Sequence, residues 1–306
     1  MNYGKRSTSK KQKSMHSKSA KAGKKASVIF IKAFLVCLLA AGVIGLCAGI
    51  GIVKGVIDNA PDIDSTSVIP RGYKSVMVDS DGNKMAELIT AGSNRVWVDI
   101  DNIPEHVQKA FVDVEDERFY EHNGIDLKGI VRAGVKGIAS GFKKTEGAST
   151  ITQQLLKNSV FDFMSEDTLV EKIERKLQEQ FLALQTEKKY SKNQILEYYL
   201  NTINLGQNTL GVQAASKRYF NKNVSDLTLS ECAVLAGITQ NPSAYNPISH
   251  PAKNSQKRTT VLTYMKSQGY ISSKEYTDTL RDPVYDRIQK VNKQTFSSSS
   301  ITSYFT

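Results

Sequence analysis

Cysteine is scarce: of three in 306 residues, Cys37 and Cys47 fall inside one uncharged apolar run. Only Cys232 lies beyond that run, so no disulfide can form within the rest of the chain. Its setting, LSECAVLAGI, is apolar and helical, which predicts a buried inert thiol. Histidine is also sparse. His16, His106, His122 and His250 are scattered, with no His or Cys partner at ligand spacing, which argues against the common zinc sites. Gly-x-Ser-x-Gly, a Walker loop and Lys-Thr-Gly are absent. Their absence argues against a serine-hydrolase elbow, a phosphate-binding P-loop and a penicillin-reactive serine site.

Acidic residues are missing from residues 1–32, which hold ten Lys or Arg. Removing those ten from the 41 basic residues leaves 31 against 30 acidic ones, so the net charge of +11 belongs to the tail. A nucleic-acid binder carries its basic excess on the folded domain, so no nucleic-acid partner is expected. The tail itself is rich in Ser, Lys and Gly and reads as disordered. Directly after it, AFLVCLLAAGVIGLCAGIGIV, residues 33–53, has no charge. At about 1.5 Å per residue this run spans roughly 31 Å, enough to cross a bilayer and too long for a cleaved signal. Lysines on its N-terminal flank predict a cytoplasmic tail, with residues 54–306 outside the cell membrane. Gly45 and Gly49 permit helix pairing, a weak signal.

Residues 54–72, with Pro61 and Pro70, read as a linker. SVMVDSDGNKMAEL alternates around Asp81-Gly82, which predicts a small hairpin. RVWVDIDNIP predicts an extended piece running to Pro104 at a helix start. From there to about residue 282 the pattern is helical, and residues 283–306 read as a Ser-rich disordered tail. The fold class expected is mainly α, with a small β-hairpin element and one preceding transmembrane helix.

Three stretches carry polar residues that could do chemistry. In VEDERFYEHNGID, an apolar stripe of Val107, Ala110, Phe111 and Val114 sets the helix direction. At about 100° per residue Glu115 falls about 80° from the stripe, beside Phe119 and His122, while Asp116 points away. A carboxylate flanked by apolar groups is desolvated toward a general base, although helix ends also carry charge for no catalytic reason. In GASTITQQLLKN, Ser149 and Thr150 stand at a cap, and Gln154 and Lys157 share a face. These donors suit an anion at a helix start, and equally an ordinary capped helix. In ERKLQEQ, the stripe Ile173, Leu177, Phe181 and Leu184 leaves Arg175 and Glu179 outside as a solvated pair.

Taken in order, these segments closely resemble the peptidoglycan glycosyltransferase (transglycosylase) family. That family occurs as monofunctional transglycosylases and as the N-terminal domain of class A penicillin-binding proteins. Its first motif is matched by Glu115, Asp116, Phe119, His122 and Gly124, and its second from Gly147 to Gln154, followed by Lys157 and Asn158. Its third is Arg175, Lys176 and Glu179, and KNQILEYYLN and LSECAVLAGITQNPSAYNP look like the fourth and fifth. The resemblance covers about residues 73–282 and departs mildly at Ala148, Leu210 and Asn221.

The resemblance implies a lysozyme-like helical domain, residues 73–282, that polymerises lipid II into β-1,4-linked glycan with inversion and release of polyprenyl diphosphate. It makes Glu115 the general base and Glu179 a second carboxylate that orients a phosphate-binding group or a divalent cation. Asp116, Arg132, Ser149, Thr150, Gln154, Lys157, Asn158, Arg175 and Lys176 are the expected substrate contacts. No cofactor is obligatory on this reading, with Mg2+ or Mn2+ at the pyrophosphate as an option. Partners are lipid II, the growing chain, the membrane, and cell-wall synthesis and division proteins. Phe161, Phe163 and Met164 suit either lipid-tail entry or packing into the domain. A diphosphate leaving group needs cations rather than a general acid, which favours synthesis over a lysozyme-like hydrolase. The alternatives are half of a bifunctional penicillin-binding protein lacking its transpeptidase domain, and a catalytically silent cell-wall scaffold.

Overall fold

The computed structural model describes residues 18–63, 68–70, 72–73, 75–88, 94–141, 147–161 and 168–290. The chain divides into two compact units, Met1–Asn59 and Ala60–Thr306. The first unit holds one long helix, α1 (Lys18–Asp58). Within it, Lys25–Asp58 is long and apolar enough to cross a membrane, with a mean hydropathy of 2.6 over its most apolar window. The helix begins inside the segment read as a disordered tail. Ala and Lys are good helix formers, and no proline interrupts them before the apolar run.

The second unit starts with a two-stranded antiparallel hairpin, β1 (Ser75–Val78) and β2 (Lys84–Leu88), as the alternation predicts. Gly82 supplies a positive φ of 81°, and the Asp79 carboxylate accepts the backbone N–H of Asp81 and Asn83. Among the described residues nine α-helices follow: α2 (Glu105–Glu115), α3 (Leu127–Ala139), α4 (Ile151–Ser159), α5 (Leu169–Lys189) and α6 (Lys192–Thr202), then α7 (Val212–Phe220), α8 (Leu229–Ala236), α9 (Pro251–Ser267) and α10 (Ser273–Arg281). Capping boxes start α5, α6, α8 and α10, each pairing a Ser or Thr with a Glu or Gln three residues on. Asn221 takes a left-handed φ of 56° at the end of α7, a conformation Asn tolerates better than most residues.

Helix α2 packs against α8 and α9, while α4 packs against α5 and α6. Val107, Ala110 and Phe111 of α2 are wholly buried with Ile151 and Leu155 of α4, Tyr199 and Leu200 of α6, and Cys232 of α8. Each such aliphatic or aromatic side chain stabilises the fold by about 1.5–3 kcal/mol. Burial pushes the Cys232 thiol well above its ordinary range, which fits the inert thiol expected.

Three expectations are corrected. The buried face of α5 is Glu179, Leu182, Ala183 and Thr186, whereas Ile173 and Leu184 are exposed. The helix is rotated relative to its apolar stripe because a polar cluster with α4 draws Glu179 inward. The linker assigned to residues 54–72 contributes Val68, fully buried, to the core. The folded part also continues past residue 282. Val284 and Ile288 are buried, and Arg287 ion-pairs with Asp282 and with the buried Glu231. Residues 291–306, like Phe163 and Met164, lie outside the described residues. Phe161 packs against Leu156, Leu182 and Ala183.

Candidate active site

Glu115 is the last residue of α2, where the helix hands its side chain to the gap between α4 and the end of α8. Its Oε2 accepts a hydrogen bond of 2.7 Å from the Gln154 amide of α4. Its Oε1 accepts one from the Thr239 hydroxyl, three residues beyond α8. Burial pushes the Glu115 carboxyl above the usual range, while these two donors and the charge of Lys257 on α9 pull the other way. The result is a carboxylate with raised proton affinity. Tyr199 of α6 faces the same centre. It is fully buried, its hydroxyl has no hydrogen-bond partner among the described residues, and desolvation with the charges of Glu115 and Asp116 holds its proton on.

Asp116 does not point away from the core. Helix α2 ends at Glu115, and Asp116 caps it with φ −156° and ψ 72°, so the helical projection no longer applies. Its carboxylate turns inward, only 7 % exposed, and accepts Ile151 N–H at 3.0 Å and His122 Nε2 at 2.9 Å. His122 Nδ1 accepts the Gly124 N–H, which leaves the ring proton on Nε2 for Asp116. Asp116 and His122 thus tie the first motif to the start of α4.

Gly124 completes that tie. Its φ is +89°, and a Cβ there would stand 2.7 Å from the Ala183 carbonyl oxygen of α5. Its own carbonyl accepts from the Thr150 hydroxyl at 2.8 Å and the Gln153 amide at 3.1 Å. Thr150, expected among the substrate contacts, is 1 % exposed and caps α4, its Oγ1 accepting Gln153 N–H. The structure gives it a local structural place.

The third motif builds a cationic cluster around a buried acid. Glu179 is 1 % exposed and pairs with Arg175 and with Lys176, the latter at 2.9 Å. The solvated pair expected from spacing alone is therefore corrected. Lys176 also donates to Ser149 Oγ at 2.7 Å and to Gln153 Oε1 at 3.0 Å, joining α5 to the second motif. Lys157 and Asn158 lie in the last turn of α4, half-buried and exposed respectively. Arg132 lies on α3, exposed, and ion-pairs with Glu117.

Both Glu179 oxygens are met by cationic side chains, a donor set that does not fit a divalent ion on that carboxylate. Among the described residues no group of three His, Cys, Asp or Glu is placed to hold a metal ion.

Two residues at Glu115 have no signal of their own in the sequence: Thr239 and Lys257. Thr239 sits in the fifth motif-like segment, LAGITQNPSAYNP, and Lys257 in a helix read only as helix. Lys257 donates to Gln240 and lies 4.8 Å from the Tyr245 ring centroid.

The sequence model of the family described as Transglycosylase matches residues 81–266, a span that contains every residue of this site. The chain belongs to the transglycosylase family. Penicillin-binding protein 1A of Clostridium perfringens (strain 13 / Type A) is 39 % identical over 290 residues, 89 % of this chain and 42 % of that one. Penicillin-binding protein 1F of Bacillus subtilis (strain 168) is 50 % identical over 201 residues, 66 % of this chain and 27 % of its own length. Penicillin-binding protein 1A/1B of the same strain is 36 % identical over 304 residues, 99 % of this chain and 32 % of that one. This transglycosylase chain thus spans less than half the length of these relatives.

Proposed function

We propose that the second unit is a peptidoglycan glycosyltransferase that joins lipid II units into β-1,4-linked glycan. The observation that carries this reading is one desolvated carboxylate, Glu115, held by Gln154 of the helix that also meets the Arg175–Lys176–Glu179 cluster. In the reaction the 4-hydroxyl of the acceptor sugar attacks the anomeric carbon of the donor. Its proton passes to Glu115, and the anomeric C–O bond breaks with its electron pair going to the polyprenyl diphosphate. Back-side attack inverts the α-linked donor to a β-linked product. The leaving diphosphate carries its charge without a general acid, provided that cations face it. Arg175, Lys176, Lys157 and Arg132 are the cations assigned to that work, with Ser149 and Asn158 as neutral donors. Glu179 holds Arg175 and Lys176 in place and touches no reacting atom, and Asp116 supports the base through His122 and Ile151.

The apolar face of α3 supports a lipid-linked substrate. Leu127, Val131, Val135 and Ile138 recur at helical spacing, and each is more than 60 % exposed. The reading takes the apolar helix Lys25–Asp58 as a membrane anchor and assigns the second unit to the outside of the cell membrane. Purified full-length protein in detergent, given labelled lipid II, is expected to yield ladders of polymer. Release of short sugars from preformed glycan, with no polymer from lipid II, would instead make it a hydrolase.

A further inference from the structure

Glu115 must serve the reaction in two states, as a carboxylate before proton transfer and as a carboxylic acid after it. A neighbour that donates to the oxygen which takes the proton becomes a mismatched donor once the proton is there. The surroundings of Thr239 resolve this. Its hydroxyl has a single proton and two acceptors in reach: Glu115 Oε1, and the carbonyl of Ala236 at 3.0 Å. Ala236 is the last residue of α8, so its carbonyl is one of those a helix end leaves without an intrahelical partner.

We infer that Thr239 is a positioning residue that turns its hydroxyl between these two acceptors as Glu115 gains and loses its proton. With Glu115 ionised, Thr239 donates to Oε1. Once Glu115 has taken the acceptor's proton, Thr239 donates to Ala236 O and presents its oxygen lone pair to the new carboxylic O–H. Thr239 stays neutral throughout, and no bond to carbon changes. Gln154 serves a different purpose, since a primary amide nitrogen only donates and holds Oε2 in either state. This inference rests on Glu115 being the base. It adds a residue that the spacing of the three chemical motifs does not point to.

Among the described residues, the other charged and titratable groups facing Glu115 are Asp116 at the end of α2, Tyr199 on α6 and Lys257 on α9. None of them is altered by changes at Thr239. Thr239→Val keeps the shape and removes the hydroxyl, whereas Thr239→Ser keeps the hydroxyl and removes a methyl. Thr239→Val loses a bond to the charged carboxylate and a weaker one to the neutral acid, so the acid limb of the kcat/KM profile moves up by the difference, about 1 pH unit. Thr239→Ser returns the limb to its wild-type place. A valine variant slowed equally at every pH, with its limb unmoved, overturns the inference and leaves Thr239 a packing residue. So does a serine variant that fails to rescue the limb.

A second measurement does not depend on turnover. The infrared carbonyl band of protonated Glu115, identified by its loss in Glu115→Gln, is titrated in the full-length wild type and in both variants. The same upward shift in valine and return in serine is expected. If the band shifts as stated but Glu115→Gln still makes polymer at the wild-type rate, the base assignment fails while the Thr239–Glu115 coupling stands.

Discussion

Gly124→Ala is the sharpest structural perturbation at the site, because two independent costs meet at one atom. The residue's φ of +89° lies where an L side chain is strained, at about 1–3 kcal/mol. The added methyl would also stand 2.7 Å from the Ala183 backbone oxygen and 3.1 Å from its Cβ, contacts that cannot relax by rotating a side chain. Forcing extra volume into such a packed seam costs about 1–3 kcal/mol more. The Gly124 carbonyl holds Thr150 and Gln153, so a shift of the backbone also loosens the start of α4. The sum is about 2–6 kcal/mol, a large part of the stability of an ordinary domain. Denaturant unfolding in detergent micelles reads it, followed by Trp97, the sole tryptophan. Gly134→Ala on α3 is the matched control, since nothing lies within 4 Å of its Cβ position. Alanine there is expected to be neutral or stabilising by up to about 1 kcal/mol. A Gly124→Ala midpoint equal to that of wild type would refute the reasoning.

Further outcomes follow from other residues. Asp113 is 4 % exposed with neither carboxylate oxygen hydrogen-bonded among the described residues, and burial pushes its carboxyl from 3.8 up to about 7. The folded state therefore holds this proton more tightly than the unfolded chain. Its contribution is fullest below about pH 4, is lost as pH rises toward 7, and is flat above that. Asp113→Asn should gain on wild type by about 2 kcal/mol across that window once solvent screening is allowed for, measured by unfolding at several pH values. Glu231 is fully buried between Lys222 and Arg287 and also caps α8. Glu231→Gln should cost about 3 kcal/mol in the same assay, and a change within about 0.5 kcal/mol would count against its place. Glu179→Gln weakens the hold on Arg175 and Lys176 and should slow polymerisation of lipid II about 100-fold with the fold intact. An unchanged rate would mean that the cluster does not act in the reaction.

The sequence discloses what local chemistry dictates. The α2 stripe, the Asp81-Gly82 hairpin and the Thr150 cap depend on residues a few positions apart, and all three are found where spacing puts them. Direction is harder to read once a helix ends. Asp116 points inward because its backbone leaves the helix, which no projection from α2 could show. The rotation of α5 is set by a long-range polar cluster: Glu179 is drawn in by Lys176, itself bound to Ser149 and Gln153 on another element. The contact of Thr239 with Glu115 joins residues 124 positions apart, and helical periodicity contains no term for such a pair. Val284 and Ile288 enter the core from a single 3-10 turn, Val284–Arg287 and its C-cap, too brief to show a period.

The central claim is that Glu115 takes the proton from the acceptor hydroxyl. It is tested most directly by comparing wild type with Glu115→Gln for the rate of polymer formation from labelled lipid II, with unfolding midpoints measured alongside. The glutamine has nearly the same shape but no proton affinity to offer. The account predicts a loss of about 10²–10⁴-fold in rate at an unchanged midpoint. A Glu115→Gln enzyme that polymerises lipid II at the wild-type rate would contradict it.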